Sequence, residues 1–181
     1  MPQRPLEARD AVTARAKQPD AALRARLRVR AATAADVPAI VALINAAYKE
    51  RDWELFHELR TSEESYPSEM ERRGFDVVVA ELDGRIAGHI GFRLGGDHAE
   101  LGLLATAIDA QGAGIGTVLI EYAEARATAA GCAQMRLDCV RDTGMPPYYA
   151  SLGYAIEREE SGQPWNALRP FTLVYMKKEL A

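Results

Sequence analysis

The stretch from Phe75 to Ala107 constrains the fold more than any other. Phe75-Asp-Val-Val-Val-Ala-Glu-Leu82 is a short apolar run, which reads as a buried strand. Asp83-Gly84 follows, the preferred pair for a two-residue hairpin turn, because that turn requires positive φ at both central positions. Arg85 to Leu94 is the returning strand, with Gly88 and Gly91 weakening it, and Gly95-Gly96-Asp97 turns the chain again into a strand from His98 to Ala107. Three successive strands joined by tight turns make an antiparallel meander, around which the other elements must be arranged.

Those elements are legible from their periods. Leu27, Val29 and Ala31 alternate with arginines and suggest a first strand. Thr33 and Asp36 resemble a helix start, with Asp36 in the place that a capping box gives to Glu or Gln. Val37, Ile40, Val41, Ile44, Ala47 and Tyr48 then follow at helical spacing. Residues 50–73 are charged, are broken by Pro67 and hold a short helix that Gly74 would end. After the meander, a glycine-rich loop at 111–116 opens a helix carrying Val118, Leu119, Tyr122 and Ala123, which Gly131 is placed to end. Gln134–Val140 is a strand, Pro147–Leu152 a short helix ended by Gly153, and Tyr154–Glu159 and Phe171–Lys178 are two last strands. The order βα(α)βββαβαββ predicts an α+β domain, a mixed central sheet with helices on both faces.

Charge divides the chain. Its net charge is −4, yet residues 1–30 hold eight basic and three acidic side chains, a net of +5, against −9 for the rest. Residues 1–26, rich in Ala, Arg and Pro, read as a flexible basic leader with room for a helix between Pro5 and Pro19, or alternatively as an arm for nucleic acid or a partner. The folded domain is expected over 27–181, a length that fits one domain. No run approaches the roughly 18 apolar residues of a membrane helix, and the N-terminus lacks a secretory apolar core, so a cytoplasmic protein without membrane partners is expected. The acidic body argues against nucleic acid as a partner. Cys132 and Cys139 form no disulfide framework and lack ligand spacing, so no metal site is expected. His98-x-Glu100 is half of a zinc-deaminase signature without its Pro-Cys-x-x-Cys half. His57 and His89 read as surface or packed residues, and Cys139 as a small buried hydrophobe. No G-x-S-x-G elbow is present.

The segment with most chemistry is Gln111-Gly-Ala-Gly-Ile-Gly116, between a strand and a helix. Glycines there let a ligand approach the backbone, and freed amides at a helix N-terminus suit a phosphate. The dinucleotide fingerprint fails, because Thr117 stands where the third glycine belongs, and the P-loop fails for want of a lysine. A plain glycine-rich turn is the other reading of the loop taken alone. What remains is Q-x-x-G-x-G. With it, Glu100-Leu-Gly-Leu-Leu-Ala-Thr106 before the loop, Pro147-Tyr-Tyr-Ala-Ser-Leu-Gly-Tyr154 after it, and Val29-Arg30 through Thr33, Asp36, Pro38 and Ile40 at the start, the chain resembles the GNAT superfamily of acyl-CoA-dependent N-acyltransferases over about residues 27–178.

That resemblance implies acetyl-CoA as co-substrate. Amides around Gln111, Gly112, Ala113, Gly114, Ile115, Gly116 and Thr117 would bind its pyrophosphate, and the backbone at Leu104 and Thr106 would pair with its pantetheine arm at a splayed sheet edge. Tyr149 matches the tyrosine of the Y-x-x-L-G-F/Y motif and would protonate the leaving thiolate; a packing aromatic is its other reading. Glu100, eleven residues before Gln111, is the candidate base, and strand alternation puts it on one face with Gly102 and Leu104; a solvated strand-end acid is the alternative. The chain departs from the family pattern at Ala113, where the loop often carries a basic residue, at Ile108, and at Asp142, an acid near the cofactor.

The resemblance places the acceptor near 45–73 and 160–170, where Tyr48, Trp53 and Trp165 are the candidate contacts. Glu50, Asp52, Glu54, Glu58, Glu63 and Glu64 suggest an acid-lined cleft for a cationic amine, or else a solvated helix face. The expected activity is transfer of an acetyl group to a primary amine of a small molecule in a ternary complex. A protein or peptide amine as acceptor and a non-catalytic acyl-CoA-binding module are the alternatives. Homodimers are common in such families.

Overall fold

Strand pairing in the computed structural model, which describes residues 15–52, 55–162 and 167–181, joins seven strands into one sheet. They are β1 (Leu27–Ala31), β2 (Asp76–Leu82), β3 (Arg85–Leu94), β4 (His98–Thr106), β5 (Gln134–Val140), β6 (Ala155–Gly162) and β7 (Phe171–Glu179). Their order across the sheet is β1-β2-β3-β4-β5-β7-β6, and only β4 and β5 run parallel. The helices are α1 (Ala21–Arg26), α2 (Val37–Asp52), α3 (Tyr66–Arg73), α4 (Ile115–Ala129) and α5 (Met145–Ala150). The sequence-based order holds from β1 onward, with α1 added ahead of it inside the stretch 1–26 expected to be a flexible leader; residues 1–14 of that leader, with most of the helix expected between Pro5 and Pro19, lie outside the described residues. No helix among the described residues is long and apolar enough to cross a membrane.

Local chemistry explains the element ends. Asp83 and Gly84 have φ of 51° and 81°, as the hairpin between β2 and β3 requires. Asp36 accepts hydrogen bonds from the Thr33 amide at 2.7 Å and the Thr33 hydroxyl at 2.9 Å. Arg30 grips both oxygens of Asp36 at 2.7 and 2.9 Å and reaches Glu81 of β2 at 2.9 Å, which ties the helix start to the sheet. The Arg30 guanidinium holds the Asp36 carboxyl well below the usual carboxylate range. α5 starts at Met145, two residues earlier than its sequence suggests, because Pro146 and Pro147 fit a first helical turn.

Two cores lie on opposite faces. Val78, Ala80 and Leu82 of β2 pack with Ile115, Leu119, Ile120 and Ala123 of α4. Val79 points the other way, to Ile40 and Ile44 of α2 and Met70 of α3. The strand glycines serve this packing rather than merely weakening the strands. A Cβ at Gly88 would stand 2.7 Å from Ile115 Cγ2, and Cβ atoms at Gly91 and Gly102 would stand 2.8 and 2.5 Å from the Phe75 ring.

β4 departs from regular alternation. Between the pairs His89–Ala105 and Gly91–Gly102, β4 uses one more residue than β3, and Leu103 takes up the excess with φ of 52°. The bulge exchanges the faces. Ala99 and Leu101 belong to the α4 core, whereas Leu103 and Ala105 belong to the α2 and α3 core. The expectation that Glu100, Gly102 and Leu104 share one face is therefore overturned. Gly102 lies against Phe75, while Leu104 and Thr106 turn toward Gly116 at the start of α4.

Candidate active site

β4 and β5 pair only from His98–Gln134 to Glu100–Arg136. Beyond that point the strands continue to Thr106 and Val140 without pairing each other, so a wedge opens through the sheet. Two cavities occupy it, of about 550 and 500 Å³. Arg51, Leu104 and Met145 line both, so the cavities meet just past the bulge.

The smaller cavity follows the glycine-rich loop. Leu104, Thr106, Gln111, Gly112, Gly114, Ile115, Gly116 and Thr117 line it, together with Tyr148. α4 begins at a glycine with φ of 91° and no capping side chain, and the first turn of a helix leaves its amides without helical partners. The Thr117 hydroxyl is buried without a hydrogen-bond partner among the described residues. Gly116 is needed for space, since a Cβ there would stand 2.9 Å from the Tyr148 hydroxyl. Uncapped amides plus an orphan hydroxyl fit a phosphate-bearing ligand. Ala113 does not line this cavity. Nor does Asp142 line either cavity; it accepts from Arg169 at 2.8 Å and from the Thr172 amide at 3.4 Å, and the Arg169 guanidinium keeps its carboxyl below the ordinary range.

The larger cavity is walled by α2, the segment after it, and the open ends of β4 and β5. Tyr149 and Tyr48 both line it. Burial pushes the Tyr149 phenol well above its ordinary pKa, Tyr48 adds to this, and the Arg51 guanidinium opposes it. The phenol is thus held protonated, with a cation near enough to favour its anion. Arg51 lies over the Tyr48 ring at 4.4 Å and pairs with Asp52 at 3.0 Å. Burial pushes the Cys139 thiol up to about 12, so it is no thiolate at neutral pH.

Glu100 lines the same cavity, but Arg93 holds it at 2.7 Å and His98 lies 3.5 Å away. A second carboxylate, Asp138 of β5, was missed in the sequence reading. Solvent reaches it through the open cleft, yet the cleft walls desolvate its carboxyl and raise its pKa, against the opposing pull of Arg73 and Arg60. The signal that could have found it is an acid between Leu137 and Cys139, inside the strand Gln134–Val140. The expected acid lining is also corrected. Of the six acids singled out, Asp52 and Glu58 line the larger cavity, Glu50 lines the smaller one, and Glu63 and Glu64 line neither. The larger cavity instead carries Lys49, Arg51, Arg60, Arg73 and Arg93 beside its four acids. Glu54, Trp53 and Trp165 lie outside the described residues.

The chain matches the acetyltransferase (GNAT) family over residues 40–154, the span from α2 through the wedge to the end of the tyrosine motif. The chain belongs to the GNAT family. It is therefore an acyltransferase, of a family that uses acetyl-CoA. Solved GNAT structures share the fold. A ribosomal-protein-alanine N-acetyltransferase from Brucella melitensis superposes with a TM-score of 0.67 at 24% identity, over 84% of this chain and 99% of that one. An N-acetyltransferase from Staphylococcus aureus Mu50 has a TM-score of 0.67 at 16% identity, over 86% and 99%. YncA from Salmonella typhimurium, solved with its cofactor acetyl-CoA, has a TM-score of 0.66 at 20% identity, over 86% and 95%. No curated protein matches the chain.

Proposed function

We propose that this GNAT protein transfers the acetyl group of acetyl-CoA to the primary amine of a small molecule, by direct attack in a ternary complex. The observation that carries the reading is the meeting of two cavities at Leu104, one lined by the uncapped first turn of α4 and the other by a phenol, Tyr149, and two carboxylates, Glu100 and Asp138. The cofactor's phosphates would lie at Gly112–Thr117, and its thioester would reach the junction. The amine nitrogen attacks the thioester carbonyl, the C–S bond breaks, and the thiolate takes the Tyr149 proton. A primary amine is an ammonium ion near neutral pH, so it must lose a proton before its nitrogen attacks, and Asp138, which no ion pair among the described residues engages, is the proposed acceptor. A proton taken by Glu100 would disrupt its pair with Arg93. Arg51, which opposes the rise in the Tyr149 pKa, would stabilise the phenolate left behind.

The test is release of coenzyme A thiol with a library of amines, with products identified by mass spectrometry. Small amines should be acetylated, with Tyr149→Phe and Asp138→Asn each lowering kcat about a hundredfold, as loss of a general acid or base does, and Glu100→Gln lowering it less. Acetylation confined to protein or peptide amines would overturn the small-molecule acceptor. Binding of acetyl-CoA without turnover on any amine would overturn the reaction itself.

A further inference from the structure

The cofactor cavity has an unexpected wall. Arg15 and Lys17 line it, although they precede α1 in the stretch outside the family match. The segment that carries them is fastened at several points. The Ala16 amide donates to the Ser151 hydroxyl at 2.8 Å, just after α5, and Gln18 Nε2 donates to Glu121 of α4 at 2.6 Å. Pro19 is buried, and its backbone lies so close to the phosphate loop that a Cβ at Gly114 would stand 2.5 Å from the Pro19 nitrogen. Residues 15–19 thus form a strap from α5 to α4 across the mouth of the loop.

We propose that this strap completes the cofactor site, with Arg15 and Lys17 holding phosphate oxygens of acetyl-CoA. The proposal rests on the cofactor placement argued above. Three observations carry it. First, neither cation makes an ion pair with any described residue, although both border a cavity of about 500 Å³ that remains open with the strap in place. Second, the loop supplies amides and the Thr117 hydroxyl but no cation, since Ala113 stands at its centre. Third, Glu50 also lines the cavity, so a polyanion entering it meets a carboxylate that needs an offsetting charge. Lysine and arginine on a short tethered strap supply that charge through charge-assisted hydrogen bonds.

The test measures acetyl-CoA binding by calorimetry at several salt concentrations, with the full chain and with the double variant Arg15→Ala, Lys17→Ala. The side chains are exposed, so the variant should fold, which circular dichroism would verify. The expected result is a Kd raised about tenfold and a shallower salt dependence. Dephospho-CoA separates the two phosphate sources: a loss of binding that persists with it assigns the cations to the pyrophosphate, and one that vanishes assigns them to the 3′-phosphate. A second readout is the ratio of kcat/KM for acetyl-CoA to that for acetylpantetheine, which lacks the nucleotide phosphates; this ratio should fall about tenfold in the variant. An unchanged Kd would overturn the proposal and leave the cofactor placement standing. Tighter binding in the variant would overturn it too, and would make the strap a plug. Failure of the unaltered protein to bind acetyl-CoA would overturn the placement itself.

Discussion

His89 is fully buried between two elements and satisfied at both ring nitrogens. Its Nδ1 lies 2.8 Å from the Leu103 carbonyl, which can only accept, so Nδ1 carries the proton. Nε2 is then free to accept from the Tyr66 hydroxyl at 2.7 Å. Burial lowers the His89 pKa from 6.5 to about 4, against the smaller opposing effect of the Leu103 carbonyl. The neutral ring is thus part of what holds the bulge in β4. In the unfolded chain the same ring protonates near pH 6.5, so the native state keeps this contribution above pH 6.5 and loses it progressively down to about pH 4. The loss should amount to about 3 kcal/mol, read as a falling urea midpoint across that window, and His89→Gln should flatten the profile there. The sequence reading of His89 as a surface or packed residue was too coarse. Its partner Tyr66 lies 23 positions away, and no local spacing reveals such a bond. Tyr149, by contrast, was legible because a motif fixed its place, while Arg51 sits in a charged run that gives it no distinction.

At the scale of elements, the hairpin at Asp83-Gly84, the Thr33–Asp36 helix start and the stop at Gly74 were readable because each depends on two or three neighbouring residues. The bulge was not. Leu103 holds a positive φ without being glycine, and the extra residue shows only in the pairing of β4 with β3 and in the two cores its side chains enter. Reading faces by strict alternation therefore misassigned Leu104. Gly102, which alternation treats as a neutral position, is where the Phe75 ring lies flush with the sheet. Gly102→Ala should destabilise the fold by about 1–3 kcal/mol through overpacking, and Phe75→Leu in the same chain should recover part of the loss. Chemical denaturation of the two variants measures this directly. An additive loss in the pair would show that the ring is not what makes Gly102 necessary.

Across the whole molecule, charge is arranged more finely than net values convey. The −9 of residues 31–181 does not gather at the larger cavity, whose described walls carry five cations and four acids. Counting acids in the charged stretch after Tyr48 could not reveal this, because Arg73, Arg93 and Asp138 enter the cleft from α3, β3 and β5. Under the proposed reaction, a cleft of mixed sign would favour an acceptor with both an amine and an acid group. Amino-acid-like amines should have higher kcat/KM than diamines of similar length, and added salt should narrow the difference. A clear preference for diamines would contradict it.

The parting of β4 from β5 has a mechanical consequence. One block of the sheet comprises β1 to β4 and the other β5 to β7, and among the described residues their strand pairing is limited to three residue pairs of β4 and β5. A ligand whose main-chain-like arm pairs with the open end of β4 would act as a keystone between the blocks. Saturating acetyl-CoA should then raise the melting temperature, by a shift that grows with ligand concentration. Amide exchange should slow on both sides of the wedge, at Leu104–Thr106 and Leu137–Val140, and not on β4 alone. The substrate of the reaction would in this way be a structural member of the enzyme for as long as it is bound.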